Sequence, residues 1–370
     1  MSNELGLIVL NNFKEFGEDV DKHLQKLSGS ETSYIVPIEQ VRFNNGEGKV
    51  IIKDTIREKS VFILSDVGNH SCIYNMFDYQ NHMSPDDHFE DLKRVICAMG
   101  GNAAKITTVT PLLYASRQHK RKGRESLDCA LALQELERLG VKTIATFDVH
   151  DPNVQNAIPC LSFENFYPTY MMLDKFIDNE KTDLRKLLIV SPDTGAVDRA
   201  RYYADMLQSD VGMFNKRRDL SIIVDGKNPI VAHEYMGTDV TGKDIIVVAD
   251  MVASGDSILE VTEELKKRGA NNIYVFCTFA FFTKGVEPFE EAFKKGNITK
   301  FYTTNLSYVP KEITDKEWFI KVDCAPFVAK VIDTLYNQQS LSPLLNGKEK
   351  ILTKVMKHNN PVNFEGGFDL

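Results

Sequence analysis

Two kinds of segment alternate along the chain. The first kind is short and rich in apolar and β-branched residues: Lys105–Thr110, Thr143–Phe147, Leu187–Val190, Ile245–Ala249 and Ile273–Thr278. Runs of this length with apolar residues at successive positions predict strands covered on both faces, as in a parallel sheet. The second kind is longer and places apolar residues three and four apart. That spacing predicts amphipathic helices over Phe89–Met99, Ser126–Leu139, Ala196–Leu207 and Ser257–Arg268. Glycines follow three of these helices directly, as Gly100-Gly101, Gly140 and Gly269. A glycine there can take the left-handed conformation that ends a helix. Strands alternating with helices give an α/β class, with mainly parallel sheets flanked by helices. The pattern occurs twice, so the expected domains are 34–165 and 166–345, after an N-terminal extension 1–33 and before a polar tail 346–370. Ile35–Lys53 reads as a β-hairpin turning at Asn44-Asn45-Gly46.

Composition narrows the class. A chain of 370 residues has room for two cores, and 43% hydrophobic with 26% charged residues is ordinary for a soluble globular protein. The net charge of −8 argues against a nucleic-acid partner but leaves anionic small molecules to local basic clusters. Six cysteines without CxxC spacing predict buried, reduced thiols. The N-terminus lacks the basic start and long apolar stretch of a secretory signal, and no apolar run nears the roughly 20 residues of a membrane span. A cytoplasmic location with no membrane partner is expected.

Ligands of open parallel sheets bind beyond the carboxyl ends of the strands, and four of those ends carry unusual polar residues. After Leu187–Val190 comes Ser191-Pro192-Asp193-Thr194-Gly195, where Asp193 suits an ion or a sugar hydroxyl and equally suits a helix N-cap. After Thr143–Phe147 comes Asp148-Val149-His150, where His150 is either a metal or phosphate contact or a structural histidine. After Lys105–Thr110, the stretch from Arg117 to Arg124 holds five lysines and arginines, matched to a nucleotide triphosphate or simply solvated. Asn215–Asp219 is a second basic run. The fourth end is Asp250-Met251-Val252-Ala253-Ser254-Gly255-Asp256-Ser257, a strand, tight turn and helix start able to cradle a monophosphate. It contains neither GxxxxGK[ST] nor GxGxxG.

In this order, these pieces resemble the ribose-phosphate pyrophosphokinase (PRPP synthetase) family. Arg42-Phe43-Asn44-Asn45-Gly46-Glu47 is similar to that family's Arg-Phe-x-[Asp/Asn]-Gly-Glu segment, Ser116-Arg117-Gln118 to its Ala-Arg-Gln, and Phe147-Asp148-Val149-His150 to its Asp-Leu-His. Gln155 follows as a glutamine does there. Val190-Ser191-Pro192-Asp193-Thr194-Gly195 is similar to its Val-Ser-Pro-Asp-x-Gly, Lys216 and Arg218 to the basic pair of its catalytic loop, and residues 247–257 to its ribose-5-phosphate loop. The resemblance implies two phosphoribosyltransferase-like (Rossmann-like) domains and Mg²⁺-dependent transfer of the diphosphoryl group of ATP to the C1 hydroxyl of ribose 5-phosphate, giving PRPP and AMP. It implies ATP contacts at Phe43, Asn45, Glu47, Arg117 and Gln118, and catalytic cations at Lys216 and Arg218. Metal partners would be His150 and Asp193, and sugar-phosphate contacts Asp250, Ser254, Gly255 and Ser257. It also implies a homo-oligomer, dimeric or hexameric, whose hairpin enters a neighbour's ATP site.

The departures are specific. Where the family writes Asp-Asp-Met-Ile-Asp-Thr-[Gly/Ala]-Gly-Thr, this chain has Ala249, Ala253 and Asp256, and Asp256 would repel a dianionic phosphate unless it turns away or meets a cation. His119 replaces the usual Asp after Arg-Gln, and residues 67–88 form an insertion. These changes keep open a non-catalytic paralogue that assembles with an active one. A transferase that consumes PRPP is a third reading, and it leaves the segment 42–47 without a role.

Overall fold

The computed structural model describes residues 4–218, 230–345 and 347–359. Its strands are β1 (Leu5–Val9), β2 (Ile38–Arg42), β3 (Gly48–Ile52), β4 (Ser60–Leu64), β5 (Ile73–Met76), β6 (Tyr79–His82), β7 (Lys105–Val109), β8 (Thr143–Phe147) and β9 (Ser162–Phe166), then β10 (Leu187–Ser191), β11 (Asp210–Arg218), β12 (Ile230–Met236), β13 (Asp244–Val252), β14 (Ile273–Ala280), β15 (Lys300–Thr304) and β16 (Phe319–Val322). The helices are α1 (Lys14–Ser28), α2 (Pro85–Ala98), α3 (Asp128–Arg138), α4 (Thr169–Asn179), α5 (Val197–Leu207), α6 (Asp256–Lys267), α7 (Glu287–Lys294), α8 (Ala325–Tyr336), α9 (Ser342–Leu345) and α10 (Lys348–Asn359). The chain forms two compact units. The first contains the described residues up to Pro168 with Asn305–Tyr308 and Asp323–Leu345, the second Thr169–Thr304, Val309–Val322 and the described residues after 346.

The first unit is built on a five-stranded sheet of order β1-β4-β7-β8-β9, parallel at every pair. Ile63, Ile106 and Ile144 pack under Phe89, Leu92 and Val95 of α2 and Leu133 and Leu136 of α3. Phe327 of α8 meets Phe147 and Phe166 with ring centroids 6.0 Å apart. Helices therefore lie against the strands on more than one side, which is why these strands are buried along nearly their whole length. The residues before 34, expected as an extension, supply the edge strand β1, registered on β4 from Leu5–Ser60 to Val9–Leu64. Helix α2 begins one turn earlier than its apolar spacing implies. Ser84 accepts from the Asp87 N–H at 3.2 Å while Asp87 accepts from the Ser84 N–H at 2.9 Å, and Pro85 occupies the first turn. Residues 67–88 contain the hairpin β5–β6, turned at Phe77 and Asp78 with φ of 48° and 63°.

The second unit is a seven-stranded sheet of order β12-β11-β10-β13-β14-β15-β16, parallel except between β11 and β12. Its central strand β13 feeds two cores by alternation. Ile245, Val247 and Ala249 join Ile258, Val261 and Phe289, while Ile246 and Val248 join Phe176, Tyr203, Phe276 and Tyr302. Burying one such side chain is worth about 1.5–3 kcal/mol. The second basic run lies inside β11 rather than after it: Lys216 and Arg218 are strand residues whose backbone pairs with β12, with a register irregularity between Arg217 and Arg218. Asp219 falls outside the described residues. The expected polar tail contains a packed helix, because Ile351 of α10 is fully buried and Lys354 Nζ lies 2.6 Å from Asp174 and 2.7 Å from Asp178.

No disulfide joins any of the six cysteines, but Cys97 and Cys160 are exposed, against the expectation that such thiols are buried. Among the described residues, no helix is long and apolar enough to cross a membrane.

One buried acid follows β4. Asp66 accepts from the Gly68 N–H at 2.8 Å, the Ser307 hydroxyl at 3.0 Å and the Tyr308 N–H at 2.8 Å. Burial outweighs these bonds and pushes its carboxyl up to about 7, from an ordinary 3.8. The folded chain thus binds more protons than the unfolded chain between those two values. The stabilising contribution is full below the lower value and is lost as pH rises through the upper one. Urea midpoints should therefore fall from pH 5 to pH 8 more steeply in the wild type than in Asp66→Asn. Equal slopes in the two proteins would remove burial as the cause.

Candidate active site

In the first unit, two loops leave the carboxyl ends of adjacent strands. The loop after β7 turns at Ala115, with φ of 54°, and leaves Arg117 exposed. Gln118 donates from Nε2 to the Ser126 carbonyl at 2.8 Å and so spans the basic stretch. The loop after β8 begins at Asp148, buried and left-handed with φ of 44°, and exposes His150. His119 ties the two loops together. Its Nδ1 lies 3.1 Å from the Ser116 carbonyl, its Nε2 3.3 Å from Asp151, and its ring meets His150 edge-on at 5.2 Å. The Asn153 N–H holds the Asp151 carboxyl below its usual range, with His119 adding to the effect. The sequence marked His119 only as a departure; in the fold its ring lies against His150.

The β2–β3 hairpin presents Phe43 at its tip, 48% exposed. Asn45 and Glu47 bond each other there, side chain to side chain at 3.0 Å and Glu47 N–H to Asn45 at 3.2 Å. Gly46 takes φ of 91°, and a Cβ at that position would lie 2.7 Å from the Met76 sulfur. Arg42 anchors the base: Nη2 lies 2.9 Å from Asp91, and its guanidinium sits over Tyr74 at 5.2 Å.

In the second unit, Asp193 follows β10 and caps the turn before α5. Its Oδ1 accepts from the Gly195 N–H at 2.9 Å and the Ala196 N–H at 3.2 Å. The capping role weighed from sequence is present. At the end of β13, Asp250 is 8% exposed and faces Arg199 of α5, with Nη1 4.0 Å away. Arg199 was not legible, since it sits on a helix with no local motif. Gly255 opens α6 with φ of 85°, and a Cβ on it would lie 2.3 Å from the Phe289 ring. Only glycine brings the backbone this close to that ring.

Two substitutions that set this loop apart acquire explanations. Ala249 belongs to the apolar core beneath α6, in register with Cys277, so an ionised side chain there would be buried among hydrocarbon. Asp256 meets a cation: Lys284 Nζ lies 2.7 Å from its Oδ2, which also accepts from the Ser254 hydroxyl at 3.0 Å. Lys284 stands at the carboxyl end of β14, so applying the strand-end rule to that strand would have found it.

Residues 5–140 match the family profile described as the N-terminal domain of ribose phosphate pyrophosphokinase, and residues 216–346 match the phosphoribosyl synthetase-associated domain. The ribose-phosphate pyrophosphokinase of Bacillus cereus is 27% identical over 349 residues, covering 94% of this chain and 98% of its own. Ribose-phosphate pyrophosphokinase 1 of Streptococcus pyogenes is 29% identical over 346 residues, covering 92% and 98%. The crystal structure of phosphoribosylpyrophosphate synthetase from Mycobacterium smegmatis superposes with a TM-score of 0.73 at 21% identity, covering 90% of this chain and 99% of that one, a likeness of fold. The two profiles together span most of the chain and the relatives match it over nearly its full length, and the chain belongs to the ribose-phosphate pyrophosphokinase family.

Proposed function

We propose that the protein is a ribose-phosphate diphosphokinase: the C1 hydroxyl of ribose 5-phosphate attacks the β-phosphorus of ATP, the α–β anhydride bond breaks, and AMP leaves. The observation that carries this reading is the loop after β13. It pairs a buried carboxylate, Asp250, with a glycine turn at the start of a 12-residue helix, a combination suited to sugar hydroxyls and a phosphate. Its acid Asp256 is neutralised by Lys284.

Each proposed role is the one implied by the resemblance to the family. Asp250 accepts from the ribose hydroxyls, while Ser254, Gly255 and Ser257 take the 5-phosphate. Phe43, Asn45 and Glu47 meet adenine, and Arg117 and Gln118 meet the ATP phosphates. Lys216 and Arg218 neutralise the diphosphoryl group in transfer, each worth about 3 kcal/mol. Mg²⁺, held by the phosphates, would supply further charge neutralisation, with His150 and Asp193 as its protein-side partners. Such an ion keeps most of its waters and needs only one or two protein ligands. A cytoplasmic homo-oligomer completes the reading, since an exposed Phe43 at a hairpin tip suits an adenine bound to a neighbouring subunit.

Incubating the chain with ATP, Mg²⁺ and ribose 5-phosphate should yield AMP and PRPP in equal amounts. Lys216→Ala should lower the rate about 10²–10³-fold. No AMP above background at millimolar substrate would overturn the reading.

A further inference from the structure

The ion pair in the loop after β13 has a use beyond cancelling a misplaced charge. Asp256 occupies the first position of α6, where the helix dipole favours an anion. Its Oδ2 gathers a lysine ammonium at 2.7 Å and a serine hydroxyl at 3.0 Å. Ammonium, hydroxyl and helix N-terminus are the groups a phosphate monoester would recruit, so the carboxylate stands in for one. The loop carrying Lys284 is held in place: Phe281 N–H donates to the Val252 carbonyl and Thr283 N–H to the Ala253 carbonyl, each at 2.9 Å. The side chains are loosely held by comparison, with Lys284 59% and Asp256 54% exposed. An exposed pair of this kind contributes little to stability, whereas a dianionic phosphate forms stronger charge-assisted bonds with the same ammonium.

We propose that Lys284 is a specificity-determining residue of the sugar-phosphate subsite, stored against Asp256 and transferred to the phosphate of a phosphorylated sugar when it binds. This rests on the sugar-phosphate site proposed above. Asp256 then competes with substrate for Lys284. It weakens retention of any phosphate, and it prevents the lysine from recruiting other anions to the loop.

The test is calorimetric titration of ribose 5-phosphate into the full chain without ATP, with ATP titrations of the same variants as a control. Lys284→Ala should weaken ribose 5-phosphate binding about tenfold or more, while Lys284→Arg stays within about threefold of wild type. Asp256→Asn should tighten binding, and adding it to Lys284→Ala should recover part of the loss. ATP affinity should not change in any variant. The proposal is overturned if Lys284→Ala binds the sugar phosphate like wild type, if it loses ATP affinity equally, or if the double variant binds no better than Lys284→Ala. A wild type that binds no ribose 5-phosphate overturns both this and the proposed function. Binding with the expected pattern but no AMP formation overturns the function alone.

Discussion

Asp250→Ala is expected to lower AMP formation by about 10²–10³-fold and to raise the KM for ribose 5-phosphate, with a smaller effect on ATP. A carboxylate that positions sugar hydroxyls acts on the attacking group itself, and loss of such positioning costs about two orders of magnitude or more. The residue is 8% exposed and has Arg199 at 4.0 Å. Removing one partner of a buried pair costs about 3–5 kcal/mol when the other is left uncompensated. Here the separation is long and both residues have further partners, so a stability loss of about 2 kcal/mol is expected. Steady-state kinetics with each substrate varied, together with urea unfolding, separates the two effects. Asp250→Asn keeps the shape and should reproduce most of the kinetic loss with less unfolding. Turnover within threefold of wild type in both variants would displace Asp250 from the site.

Gly255→Ala should destabilise the protein by about 2–4 kcal/mol and impair use of the sugar phosphate. About 1 kcal/mol comes from a β-carbon at φ of 85°. The rest comes from overlap with the Phe289 ring 2.3 Å away, at the about 1–3 kcal/mol typical of overpacking. Phe289 belongs to the core beneath α6, so the ring cannot swing into solvent and the loop must move instead. Urea midpoints of Gly255→Ala, Phe289→Leu and the double variant provide the check. The double should lose less than the sum of the singles, because the shorter side chain makes room for the new methyl. A wild-type midpoint for Gly255→Ala would mean that the turn tolerates a side chain.

How far the site could be read from sequence depended on the range of the interaction. Asp193, Asp250 and the Ser254–Ser257 turn were legible because a strand, its following loop and a helix start are contiguous in the chain. The meaning of Asp256 was not, since its partner Lys284 is 28 positions away and reaches it only because β13 and β14 are neighbours. Ala249 shows the opposite error. In sequence it looked like a lost acid; in the fold it fills an apolar layer with Ile258 and Phe289. His119 likewise looked like a substitution until it bridged two loops to Asp151 and His150.

By itself, the sequence determined the α/β class, the hairpin at Asn44–Gly46 and most of the central strands and helices. All rest on local signals: periodicity, glycine stops and turn residues act within a few positions. Only the tertiary structure decided that residues 5–28 and 348–359 are built into the two units, because an edge strand and a packed terminal helix are defined by what they lie against. It also decided the hairpin of residues 73–82, whose turn uses Phe77 and Asp78 rather than glycine and therefore carries no local signature. The same holds for the charges: whether Asp256 repels a phosphate, and whether Asp66 holds its proton, depends on neighbours brought close by sheet order and burial.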